Sequence, residues 1–250
     1  MVTEYIPSVR SASVGVWVGV GSRDEGRSVA GAAHFLEHLL FKATPTRSAV
    51  DIAQAVDAVG GELNAFTTRE HTCYYAHVLD SDLELAVDLV ADVVLRGRCA
   101  TEDVEVERDV VLEEIAMRDD DPEDSLGDVF LSAMFGDHPV GRPVIGSVES
   151  IETMTRAQLH SFHVRRYTPE RMIVAVAGNV ATTWWCRWSE SISAPGWRPD
   201  VPRWLPVRAR DGSVVSHRCS WSTATGNSPM SRWAFARPAG TGSTGGPCRC

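Results

Sequence analysis

The sequence lacks several things, and each absence narrows what the chain can do. It has no apolar run approaching the roughly 18 residues that a helix needs to cross a bilayer. Its first residues, Met1-Val2-Thr3-Glu4-Tyr5, have neither the basic start nor the apolar stretch of a secretory signal, so the expected location is cytoplasmic. Positive charge is not in excess: 24 basic against 33 acidic side chains leave a net charge of −9. Nothing electrostatic therefore points to nucleic acid as a partner, nor does any segment point to a membrane. Cysteine is scarce before residue 181, where only Cys73 and Cys99 occur, far apart and expected as free thiols. With 44% hydrophobic and 23% charged residues the composition is that of a globular chain rather than a disordered one.

That average hides a division. Residues 181–250 hold 9 Arg, no Lys and only Glu190, Asp200 and Asp211 as acids, a charge of +6. Residues 1–180 carry 15 basic and 30 acidic groups, a charge of −15. Seven of the eight Trp and four of the six Cys also fall after residue 180. The two parts read separately.

Within the first part, residues 11–20 (SASVGVWVGV) alternate with period 2 and predict a strand. Residues 30–41 (AGAAHFLEHLLF) predict a helix, ended by Thr44-Pro45-Thr46-Arg47. Ser48 is an N-cap for a second helix reaching Val59, with Ile52, Val56 and Val59 on one face. Residues 62–66 and 72–79 predict a strand pair. Helices follow over 81–95, 101–118, about 123–134 and 156–166, and residues 172–177 (MIVAVA) predict a buried strand. Asp119-Asp120-Asp121 reads as a charged break between two of these helices. Interspersed strands and helices give an α+β class, a two-layer sandwich of sheet and helices, with an irregular C-terminal tail.

The sharpest signal is His34-Phe35-Leu36-Glu37-His38. A spacing of four sets both imidazoles on one helix face, a turn apart, where two nitrogens reach one ion. Glu37 flanks that face and can take a proton from water without being a ligand. The pattern H-x-x-E-H is that of the inverted zincins, and Zn²⁺ suits imidazole donors. The rest of the helix is apolar, so three polar groups would be placed there without gain unless they bind something. A third ligand is offered by the acidic helix, where Glu107 and Glu114 lie seven apart on one face with Val111 between them. Spacing favours this pair over Glu113 but does not decide which of the two ligates. His71 reads as a turn residue and His138 as a loop residue. His160 and His163, three apart on a helix, have no acid or cysteine at ligand spacing to join them.

Together His34 to His38, the Glu107–Glu114 helix and Gly60-Gly61-Glu62-Leu63-Asn64-Ala65-Phe66-Thr67 resemble the pitrilysin, insulinase and mitochondrial-processing-peptidase family of zinc metallopeptidases, in particular its bacterial processing-peptidase-like branch. Supporting segments are Gly21-Ser22-Arg23-Asp24-Glu25, Phe41-Lys42-Ala43-Thr44, residues 138–146, Tyr167-Thr168-Pro169 and Ala177-Gly178-Asn179-Val180. The resemblance implies that Glu114 is the distal zinc ligand, since 114 − 38 = 76 matches the family's spacing. It implies that Glu107 is an activity-supporting carboxylate beside the metal, and that Glu37 is the catalytic base. It also implies that Asn64, Ala65 and Phe66 belong to an edge strand that takes up a peptide or unfolded segment as an added strand. A second homologous domain or subunit would complete the substrate chamber.

On this reading residues 1–180 form a zinc metallopeptidase catalytic domain, incomplete at its C-terminal end. Residues 181–250 show neither period 2 nor 3.6 and have the composition of GC-rich DNA read out of frame. Reading GC-rich codons for residues 182–194 one base earlier can give His-Asp-Val-Val-Val-Pro-Leu-Val-Gly-Glu-His-Phe-Gly, the amphipathic continuation that the family would show. The expectation is a frameshifted or disordered tail. The alternatives to an active endopeptidase are a non-catalytic partner subunit and an inactive remnant.

Overall fold

A computed structural model describes residues 1–181 of the chain, so the readings made for the remaining tail fall outside the described residues. Five strands form one sheet: β1 (Val2–Tyr5), β2 (Ser11–Val18), β3 (Glu62–Thr67), β4 (Thr72–Leu79) and β5 (Met172–Gly178). Their spatial order is β1-β5-β2-β4-β3. The pairs β2–β4, β2–β5 and β3–β4 are antiparallel, with Val14 opposite both Ala76 and Val176. Among the described residues β3 is thus an edge strand.

Strand alternation sorts the side chains between two faces. Ala12, Val14, Val16 and Val18 of β2 are buried, together with Tyr74, Ala76 and Val78 of β4 and Val176 of β5. These face a layer of helices: α1 (Ala32–Leu40), α2 (Ala49–Asp57), α3 (Leu83–Arg96), α4 (Thr101–Asp120), α5 (Pro122–Phe135), α6 (Val148–Thr153) and α7 (Arg156–Arg166). α3 packs on β2 and β4, and α1 packs against α4, α7 and β3. The opposite face carries an aromatic row in which Phe66 touches Trp17 (ring centroids 5.7 Å apart) and Tyr75 (6.2 Å). The two-layer α+β architecture is therefore as the sequence pattern predicts.

Local chemistry explains most element ends. Ser48 caps α2 by accepting from the Asp51 N–H, and Thr155 caps α7 by accepting from the Gln158 N–H. β2 stops two residues before the predicted end, because Gly19 donates to the Arg171 carbonyl and Val20 turns back to that of Val18. α3 begins at Leu83 rather than at Ser81, since Asp80–Asp82 forms a 3-10 turn. The acidic triplet is not a loop: α4 runs through Asp120, and Asp121 caps α5 by accepting from the Glu123 N–H at 2.8 Å. β1 and α6 escaped the sequence reading, being four and six residues long. Cys73 and Cys99 are buried free thiols, as expected.

One polar cluster ties the segment after α1 to α3. Asp92 is 1% exposed. It accepts from Thr44 Oγ1 (2.9 Å) and Arg47 Nη1 (2.7 Å), and it pairs with Arg96 Nε (2.6 Å). Removing this carboxylate takes a buried charge partner from both guanidinium groups, although Arg47 keeps Asp88 at 2.6 Å. Asp92→Ala should lower unfolding free energy by about 3–5 kcal/mol, read as a lower urea midpoint at unchanged slope.

A second buried group gives stability a pH dependence. His163 lies against the Tyr167 ring (4.8 Å), and its Nε2 is 2.9 Å from the Val94 carbonyl. Burial lowers its pKa below the ordinary 6.5 and nearby His160 adds to this, while the bond to Val94 opposes it. The fold thus prefers the neutral ring, whereas the unfolded chain protonates near 6.5. Stability from this group is complete above pH 6.5 and is lost as pH falls from there through the lowered folded value. In His163→Gln the thermal midpoint should fall less steeply over that interval than in the wild type.

Candidate metal centre

α1 is apolar on nearly every side: Phe35, Leu36, Leu39 and Leu40 have no exposed surface. Burying each of them contributes on the order of 1.5–3 kcal/mol, so the rotation of the helix about its axis is fixed by the core. Only His34, Glu37 and His38 of its nine residues are half-buried rather than buried. The start of α1 is fixed too. Gly31 sits at φ +90°, and a Cβ there would lie 2.5 Å from the Ile145 carbonyl oxygen. Gly31 has no side chain to cap the helix. The buried Glu25 carboxylate does so instead, accepting from the Gly31 and Ala33 N–H groups, each at 2.7 Å. Burial pushes the Glu25 pKa up to about 8, against those two N–H bonds and the Arg142 charge.

Facing α1 is α4, whose rotation is set by buried Val104, Val111 and Ile115. One donor atom each from His34, His38 and Glu114 lies within 4.8 Å of the other two. Glu114 Oε2 is 3.7 Å from His34 Nε2 and 3.5 Å from His38 Nε2. Among the described residues no other group of His, Cys, Asp and Glu converges in this way. In particular His160 and His163 do not, since the His163 ring is committed to the Val94 carbonyl.

The two carboxylates that spacing could not separate lie on opposite sides of His38. Glu107, only 3% exposed, has Oε2 3.2 Å from His38 Nδ1 and Oε1 2.5 Å from Lys42 Nζ. A carboxylate only accepts, so the shorter contact to Glu107 favours the His38 tautomer with its proton on Nδ1, which leaves Nε2 facing Glu114. His34 presents its Nε2 to the same oxygen, and its Nδ1 is buried without a hydrogen-bond partner. Burial, with the neighbouring His38, lowers the His34 pKa to about 4. Its ring is therefore neutral near pH 7, with a lone pair to give. Two imidazole nitrogens and a carboxylate oxygen are the donor set of hydrolytic zinc sites, and the residues present fit that ion.

Glu37 completes the cluster. Its Oε2 accepts from Thr67 Oγ1 at 2.6 Å. Burial raises its pKa and the nearby Glu114 adds to this, against the Thr67 bond and His38. A carboxylate so shifted is a better proton acceptor than an ordinary one. Thr67 lies on β3, so the edge strand and the acid are directly linked. Of the other β3 residues, Asn64 and Phe66 point to the aromatic face and Ala65 to the helix side. The Asn64 side chain accepts from the Ala65 N–H at 2.8 Å. The sequence places Thr67 in the substrate-taking edge strand by resemblance without giving it a partner, and it singles out neither Lys42 nor Glu25 as a site residue. Period-2 alternation with Ala65 and a spacing of four from His38 were the signals available for Thr67 and Lys42.

The family model for the insulinases, peptidase family M16, matches residues 1–148. An uncharacterized zinc protease of Mycobacterium leprae is 84% identical over 180 residues, covering 72% of this chain and 40% of that protein. One of Bacillus subtilis is 41% identical over 181 residues, covering 72% and 44%. The crystal structure of a protease from Helicobacter pylori superposes with a TM-score of 0.70 at 30% identity, covering 73% of this chain and 45% of that one. The chain thus spans less than half the length of these relatives. Family match, identity and fold agree: the chain belongs to the insulinase family of peptidases, M16.

Proposed function

We propose that this chain is the metal-binding part of a zinc-dependent endopeptidase, holding Zn²⁺ on His34, His38 and Glu114 and cleaving peptides or short unfolded segments. The observation that carries this reading is the convergence of those three donors beside a carboxylate that is tied to an edge strand. Zinc, when bound, supplies a Lewis acid that acidifies water and polarises a carbonyl oxygen.

The chain's own residues do the rest. β3 offers its outer backbone edge to an extended peptide, which pairs main chain to main chain as an added strand. For a strand to pair at Ala65, the Asn64 side chain must give up the N–H that it now covers. Glu37, aimed by Thr67, accepts the proton of the attacking water and returns it to the leaving amine. Glu107 orients His38 and stays out of the reaction. The partner that would complete a substrate chamber is a second homologous domain or subunit, since the relatives are more than twice as long as the matched segment.

Glu37→Gln should lower hydrolysis of a quenched peptide by about 10²–10⁴-fold while keeping the zinc content measured by atomic emission. Loss of zinc in that variant would give Glu37 a structural role instead. Glu114→Gln and His38→Ala should both lose the metal, and a chelator should abolish wild-type turnover reversibly. Zinc binding without turnover in the wild type would favour the reading of a half that depends on its missing counterpart.

A further inference from the structure

Lys42 is the only lysine among 250 residues, the other 23 of the 24 basic side chains being arginine. It lies two residues beyond the end of α1 and four after His38, with its N–H bonded to the Leu39 carbonyl at 3.1 Å. The turn therefore continues far enough to put Lys42 beside His38, over the N-terminal half of the facing α4. Its ammonium meets Glu107 Oε1 at 2.5 Å, while the other oxygen of that carboxylate meets His38 Nδ1 at 3.2 Å. The Lys42 side chain is 36% exposed and that of Glu107 only 4%, so the ammonium enters from solvent and meets a charge that cannot.

We infer that Lys42 is a positioning residue that divides the two α4 carboxylates into different roles. By holding Glu107 on the outer side of His38, it makes that group the fixed acceptor for Nδ1–H and leaves Glu114 to join the two Nε2 atoms. This inference rests on the zinc reading above. A buried carboxylate bound only by an imidazole N–H is free to swing about its side-chain torsions, and so is the ring that it orients. Two partners on two oxygens remove both freedoms. The ammonium suits the task as a compact charge on a long stem, where a guanidinium would present a planar fork. The cost is a positive charge close to a cation site, and the inference holds that fixing the ring outweighs it. Outer partners of metal-bound histidines commonly govern affinity by about 10–100-fold.

Two measurements test it. In metal-free wild-type protein at about pH 8, where free imidazoles are neutral, ¹⁵N spectra should show His38 as the Nδ1–H tautomer. An Nε2–H tautomer would overturn the inference, whether or not any variant folds. In chelator competition, Lys42→Met should bind zinc about 10–100-fold more weakly than wild type, and Lys42→Arg, which restores the charge on a planar fork, should recover only part of the loss. Equal or tighter binding by folded Lys42→Met would also overturn it, since relief of repulsion would then be the whole effect. Failure of the wild type to bind zinc would instead defeat the zinc reading, and the tautomer would still report on the Lys42–Glu107–His38 chain.

Discussion

A helix that is apolar on every side but one has a single orientation open to it, and that constraint sets the geometry of the metal centre. Turning α1 by one residue would place an imidazole where Phe35 or Leu39 now lies fully buried and would expose an equal area of apolar surface. α4 is held in the same way by Val104, Val111 and Ile115. The approach of Glu114 to the two Nε2 atoms is thus set by the hydrophobic packing of α1 and α4. A site made in this way is pre-organised: most of the conformational entropy of its ligands is already lost in folding.

Four carboxylates crowd around these helices, and their environments separate what their chemistry makes alike. Glu25 meets two backbone N–H groups and caps α1. Glu107 meets an ammonium and an imidazole and serves as an orienting acceptor. Glu37 has one hydroxyl donor and is otherwise desolvated, which raises its pKa and suits it to accept a proton. Glu114 is far more exposed than Glu107, at 38% of its side chain against 4%, and its Oε2 faces both imidazole Nε2 atoms. Role follows from partner and burial rather than from residue type.

This is also why the sequence disclosed the elements and not all of the site. His34, Glu37 and His38 stand out because helical spacing alone puts them on one face of an apolar segment. The strand pair of β3 and β4 was legible from alternation, and the caps Ser48 and Thr155 from residue type. Spacing alone could not tell Glu107 from Glu114, and only the family resemblance did, because the physical distinction is Lys42, 65 residues away from Glu107 in the chain, since 107 − 42 = 65. The Thr67–Glu37 bond was hidden for the same reason: it joins two elements whose approach depends on the whole helix layer. β1 and α6 were missed because four and six residues are too few to establish a period.

The chemistry of the centre and its enclosure are separable in this molecule. Every group of the candidate site comes from residues 25–114, and the side chains of His34 and His38 are each still 19% exposed. Metal affinity needs only the donors and their orienting partners, all of which this segment contains. Hydrolysis of a bound peptide gains further from exclusion of bulk water, which strengthens every electrostatic interaction at the reacting bond. On α5, Leu126, Val129, Phe130 and Met134 lie on one face and are 58–67% exposed. A stripe of that size is costly to leave in water. Among the described residues the candidate site thus has its donors and their orienting partners in place, while the two histidines and the α5 stripe stay open to water.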